Sequence, residues 1–134
     1  VIDLVSRCEN AGMQHASKIS LGEALTVVSG PDPPTSYGFR STRVQVLHWR
    51  VDHEFSDPGP HLHESSDEVY VVLEGSIDVQ VEDDTIRVGP DEALVVGAGV
   101  VHSLVAVQHP ARGLSIRGPS IGDKRLVPVP PDQR

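Results

Sequence analysis

Three residues within one short stretch, His61, His63 and Glu68, are the part of this 134-residue chain best suited to chemistry. Side chains two positions apart on an extended segment point to the same face, so the imidazoles of His61-Leu62-His63 can grip one ion together. After a short turn, Glu68 opens an apolar segment in which Glu68, Tyr70 and Val72 share a face, and its carboxylate can return to the same ion. A fourth ligand has to come from a distant strand. His102 is the natural candidate, because it follows Gly97-Ala98-Gly99 and starts a Val-rich run. Imidazole and carboxylate donors together suit a divalent transition metal, with Fe first and Mn, Ni, Zn or Cu as alternatives. An isolated His-x-His pair is commonly incidental. Three imidazoles and a carboxylate set among Val and Leu would be costly to bury without a partner, and a cation is the simplest one.

Three further side chains are candidates for proton transfer beside such an ion. Tyr70 has the same parity as Glu68, and its phenol can hydrogen-bond a ligand. His48 lies on the preceding strand and His53 just after it, within reach of the pocket or at its rim. Tyr37, Trp49 and Arg50 are candidates for lining the cavity, although ordinary packing or a surface position is the favoured reading for Trp49 and Arg50. His15 and His109 read as solvated.

The elements that must position these residues are short strands. Apolar residues make up 38% of the chain, and with two Phe, one Trp and two Tyr the core has to be aliphatic, chiefly Val, which favours strands. The 12 Gly and 11 Pro are scattered so that little room remains for helices of ordinary length. Strands are expected at 25–29, 43–51, 69–73, 76–81, 85–88, 92–96, 102–107 and 113–117, with turns at Gly30-Pro31-Asp32-Pro33-Pro34, Asp57-Pro58-Gly59-Pro60, Glu74-Gly75 and Glu82-Asp83-Asp84. Ile77, Val79 and Val81 alternate with Ser76, Asp78 and Gln80, the pattern of a strand buried on one face. Even spacing of this kind predicts an all-β sandwich or barrel. At 134 residues the chain is one domain, with an irregular arm over 1–24, a barrel over 25–120 and an extended tail over 121–134.

These segments resemble the paired motifs of the cupin superfamily. The first motif, Gly-x5-His-x-His-x3 or x4-Glu-x6-Gly, is matched at His61, His63, Glu68 and Gly75. The second, Gly-x5-Pro-x-Gly-x2-His-x3-Asn, is matched at Gly99 and His102. The chain departs from the pattern at four places: Phe55 and Asp91 replace the opening glycines, Gly97 the proline and Ala106 the asparagine. Gly59 and Gly89 are expected to make the turns instead. The resemblance spans roughly 44–117. It implies a cupin-type double-stranded β-helix, a jelly-roll barrel of two packed antiparallel sheets, with the four ligands on one metal. It also implies a homodimer, which the N-terminal arm would help to build.

The net charge of -8 and pI near 5.2 argue against nucleic acid or an anionic membrane as partner. No run approaches the roughly 20 apolar residues that span a bilayer, so a cytoplasmic protein is expected. The single cysteine, Cys8, excludes an intrachain disulfide framework. Four protein ligands leave an octahedral ion with open positions, which suits an oxygenase-type or an isomerase- or lyase-type enzyme acting on a small organic molecule. The alternative is a non-catalytic module that binds or senses a small, sugar-like ligand around an orienting metal.

Overall fold

A computed structural model describes residues 16–22, 24–31, 38–53 and 58–128. Among them lie nine strands and no helix: β1 (Leu25–Gly30), β2 (Phe39–Arg40), β3 (Gln45–Val51), β4 (His61–His63), β5 (Asp67–Val81), β6 (Asp84–Val88), β7 (Glu92–Val96), β8 (His102–Gly118) and β9 (Lys124–Leu126). The chain is thus all-β, and among the described residues there is no helix long and apolar enough to cross a membrane. The expected N-terminal arm falls largely outside the described residues, as do Cys8, His15, Tyr37 and Phe55; residues 16–22 form neither strand nor helix.

Two long antiparallel strands, β5 and β8, frame the barrel, paired from Asp67↔Gly118 to Val81↔His102. The second half of β8 also pairs with β3, which pairs with β1. The first half of β5 pairs with β7 and its second half with β6. Side chains alternate as the Val-rich pattern requires. Tyr70, Val72, Ile77, Val79, Val88 and Val96 form the buried core, with Trp49, Leu94, Val100, Leu104 and Val107 packed against it.

The structure corrects three of the expected boundaries. Glu74-Gly75 is not a hairpin turn; β5 runs straight through it, with shifts of register against β8 on either side of Glu74. Gly75 has φ +72°, and a Cβ there would stand 2.5 Å from the Pro110 carbonyl oxygen and 2.7 Å from Ala111 Cβ. A glycine in a strand lets the partner approach and the strand bend, and in sequence that looks the same as a turn. β8 is likewise one strand where two were expected. The other correction concerns the segment assigned to the tail, where Lys124–Leu126 pairs with β4.

Asp91 stands where the cupin pattern has glycine, and it takes up the left-handed conformation itself, with φ 65°. Gly89 does not take over that role, because its φ is not positive. Aspartate is among the few side chains that tolerate this region.

Gly113 on β8 lies beneath the indole of Trp49, and a Cβ there would overlap both the ring and the Val71 carbonyl oxygen. Gly113→Ala is therefore expected to lower the unfolding free energy by about 1–3 kcal/mol, the usual cost of overpacking. Urea unfolding would check this, and an unchanged midpoint would contradict it.

Candidate metal centre

The four expected ligands are placed by three pieces of the barrel. His61 and His63 are the first and last residues of the three-residue β4, so both rings face inward. Glu68 lies near the start of β5 and His102 opens β8, directly opposite His61 in the β4–β8 pairing. The turn before His102 is tied to the other ligands: the Gly99 amide donates to the His63 carbonyl at 2.7 Å, and the Ala98 amide donates to Asp67 Oδ1 at 3.0 Å. Gly99, at φ +78°, supplies the left-handed residue that turn needs.

The rings converge on one oxygen. Glu68 Oε1 lies 2.9 Å from His102 Nε2, 3.6 Å from His63 Nε2 and 4.0 Å from His61 Nε2. All four ligand atoms fall within 4.8 Å of one another. Donors at about 2.1 Å from a common ion sit roughly 3–4 Å apart, so the cluster needs only a small closure to hold one. The histidines are buried, with 7%, 5% and 2% of their surface exposed for His61, His63 and His102.

The donor chemistry fits a cation. His102 Nδ1 faces the Val100 carbonyl at 2.9 Å and His61 Nδ1 the Gly59 carbonyl at 3.4 Å. A carbonyl only accepts, so each Nδ1 carries the ring proton and each Nε2 presents a lone pair. The site therefore turns lone pairs of imidazole and carboxylate toward one another, and His63 Nε2 is buried with no hydrogen-bond partner. A divalent ion satisfies all of them at once.

His63 is held from behind by a group that sequence reasoning did not find. Its Nδ1 lies 3.8 Å from Asp123 Oδ1 and 3.3 Å from Arg117 Nη1. Arg117 Nη1 has two hydrogens, which are directed to Asp123 Oδ1 at 2.9 Å and the Ile121 carbonyl at 3.0 Å. His63 Nδ1 thus sits beside the Arg117–Asp123 ion pair, and a proton on Nδ1 would point toward Asp123 and leave Nε2 free for the ion. Asp123 Oδ2 in turn accepts from the Ser65 amide at 2.9 Å and the Ser66 hydroxyl at 2.7 Å. Asp123 thus joins the segment before β9 to the turn between the two ligand strands. Only a long-range contact reveals it, and no local spacing in the sequence signals it.

Burial holds the His61 ring at a pKa of about 4, with the neighbouring His102 ring and the Lys124 ammonium acting in the same direction. Burial likewise lowers His63, against the pull of the Glu68 carboxylate. For Glu68, burial pushes the carboxyl upward, but the adjacent His102 ring and the Tyr70 hydroxyl outweigh it and keep the group below its ordinary range. Tyr70 donates to Glu68 Oε1 at 2.8 Å, and burial together with that carboxylate raises its phenol, so the proton stays on Oη.

The cluster opens into a cavity of about 250 Å³ lined by Gln45, Leu47, His61, His63, Glu68, Tyr70, Ser115, Arg117 and Lys124. Tyr70 is thus at the site, as expected. His48 is not, and its expected role there is corrected. In the β3–β8 register Leu47 pairs with Ser115, and both line the cavity, whereas His48 pairs with Leu114 on the opposite face. His48 is not on the surface either: it is fully buried, and neither ring nitrogen has a hydrogen-bond partner. Burial, reinforced by Arg112 and Arg50, lowers its pKa and favours the neutral ring. Trp49 packs against the core, while Arg50 and His53 are exposed.

Loss of one ligand in four should empty the site, so elemental analysis of His61→Ala and His102→Ala is expected to find metal strongly depleted; full occupancy would contradict the assignment. Asp123→Asn should weaken metal affinity about 10- to 100-fold, measured by competition with a chromophoric chelator. The metal-free protein should also be acid-sensitive. The unfolded His61 takes up a proton near pH 6.5 and the folded ring only near pH 4. Between those values the unfolded state binds more protons, so stability falls as pH falls through that window. The depressed Glu68 acts in the same direction at lower pH. A thermal midpoint unchanged between pH 7.5 and 4.5 would contradict this.

Comparison with known proteins follows the same lines. No curated protein matches the chain in sequence. Among solved structures, KdgF from Halomonas sp. is similar at 23% identity, over 62% of this chain and 76% of that one, with a TM-score of 0.54. The DMSP lyase DddQ from Ruegeria pomeroyi DSS-3 is 18% identical with a TM-score of 0.61, over 78% of this chain and 51% of that one, so the chain spans about half its length. A variant of Streptomyces PAC13 with uridine is 16% identical, over 69% of this chain and 74% of that one, with a TM-score of 0.55. At these identities the likeness is one of fold. The family model described as the cupin domain matches residues 47–117, more than half of the chain and the whole span that carries the four ligands. The chain belongs to the cupin family.

Proposed function

We propose that the protein is a metal-dependent enzyme of the lyase or dehydratase type, acting on a small oxygen-bearing molecule. The observation that carries this reading is the meeting of four metal-ligating atoms and the Tyr70 phenol at the wall of one small cavity whose lining residues are chiefly polar in type. A bound divalent ion would act as a Lewis acid, polarising a carbonyl or hydroxyl oxygen of the substrate. His61, His63, Glu68 and His102 would hold it. Divalent transition metals other than iron suit this chemistry as well as iron does.

The remaining work falls to the cavity wall. Tyr70 keeps its proton at Oη beside Glu68 and can deliver it as a hydrogen bond to an oxygen that becomes more basic as a carbon–oxygen bond breaks. Leu47 supplies the only aliphatic side chain of the lining. Polar groups on the other sides argue for a site that holds a substrate in one orientation rather than a closed structural metal. A proton-holding group at the ligand cluster supports elimination or isomerisation over oxygen chemistry, which would not need one. Two of the similar folds point the same way, one being called a DMSP lyase and another a nucleoside dehydratase.

The test is metal analysis of protein purified without added metal, followed by assays on small β-hydroxy and β-substituted carbonyl compounds. Formation of an unsaturated product without oxygen consumption is the expected result. Substrate-triggered oxygen uptake would contradict this proposal and select the oxygenase chemistry instead. Tyr70→Phe should retain metal and reduce turnover by roughly 100-fold or more; turnover unchanged at full metal occupancy would remove Tyr70 from the mechanism.

A further inference from the structure

Lys124 opens β9 opposite His63, and directly paired residues share a face, so its side chain is on the side of the sheet to which His63 points. It is exposed and lines the cavity, and among the described residues no acid forms an ion pair with its ammonium. Arg117, the other cation in the lining, is by contrast paired to Asp123. Two neutral donors accompany Lys124. Gln45 accepts from Arg117 through Oε1, which turns its amide NH2 toward the remaining space, and Ser115 contributes a hydroxyl. Glu68 is the only acid in the lining, and it is a metal ligand in the reading above. With Arg117 offset by Asp123, the metal-loaded cavity is positive within a chain of net charge -8.

From this arrangement we infer that the cavity takes a small monocarboxylate, with the carboxylate on Lys124, Gln45 and Ser115 and the reacting carbon between them and the metal. The inference rests on the metal-centre reading and adds the substrate class to it. An isolated reversal of charge in an acidic protein concentrates anions where the field is focused. A phosphate is less well served. The bidentate fork that would cradle one belongs to Arg117, whose Nε, Nη1 and Nη2 already donate to Gln45, Asp123 and the Ile121 carbonyl. A single ammonium with two neutral donors matches one negative charge. At about 250 Å³ the cavity is also below the usual range for ligand pockets, roughly 300–1,000 Å³, so the acid has to be short.

The test uses Mn²⁺-loaded protein, whose metal content is measured first, with propionate, propionamide and inorganic phosphate as probes. Relaxation enhancement of the probe protons, or of the phosphate phosphorus, reports proximity to the ion, and titration gives the affinity. Propionate should bind at the site and the isosteric amide at least tenfold more weakly, with phosphate no stronger than propionate. Lys124→Met should weaken propionate roughly 10- to 100-fold at unchanged metal content, and Lys124→Arg should restore most of it. Equal binding of propionate and propionamide, tighter binding of phosphate, or an undiminished Lys124→Met variant would each overturn the inference. If the wild type takes up no metal, the metal-centre reading fails on its own; propionate titrated into that same metal-free protein, with Lys124→Met as control, then decides the carboxylate site separately.

Discussion

Three imidazole nitrogens and a carboxylate oxygen, all presenting lone pairs to one point, constrain the rest of this barrel. Glu68 Oε1 has His102 Nε2 at 2.9 Å and His63 Nε2 at 3.6 Å, and neither contact is comfortable unless a proton or a cation lies between. Burying such a group is expensive in proportion to how dry it is. The surrounding structure holds it together nonetheless: carbonyls of Gly59 and Val100 hold two of the rings by Nδ1, and Asp123 backs the third. A wall that turns every Nδ1 outward and every Nε2 inward is organised for an ion.

That demand explains features that would otherwise look unrelated. β4 is only three residues long, yet it has partners on both sides, His102 of β8 and the whole of β9. The turn before His102 is bonded to His63 and to the residue preceding Glu68, so movement of one ligand is felt by the others. β9 and the segment before it bring Asp123 behind a ligand and Lys124 into the cavity, on adjacent residues of opposite charge and different purpose. The acidic surface and the basic cavity wall are two parts of one electrostatic design, in which the field inside is set by a few nearby charges and not by the net charge of the chain.

Much of the site could be read from sequence because its logic is local. His61 and His63 share a face by strand parity, Glu68, Tyr70 and Val72 do so again on β5, and His102 follows a glycine turn. What escaped was non-local or ambiguous in period. Gly75 reads as a turn because glycine marks both turns and bends, and only the closeness of Pro110 and Ala111 tells them apart. On β3 both faces are covered, so alternation could not say whether His48 or Leu47 faced the cavity; the register with β8 decides it. Lys124-Arg125-Leu126 is too short and polar to announce a strand, and it pairs only because β4 offers an edge. Asp123 has no motif at all, since its partners lie near residues 63–66 and at 117.

The most direct test of the account is anomalous diffraction from a crystal grown with Mn²⁺ or Zn²⁺ as the added metal. The account predicts one strong peak about 2.0–2.2 Å from the Nε2 atoms of His61, His63 and His102 and from a Glu68 carboxylate oxygen, with open coordination toward the cavity. A peak elsewhere, or an ion bound through Nδ1 or by fewer than these four residues, would contradict it.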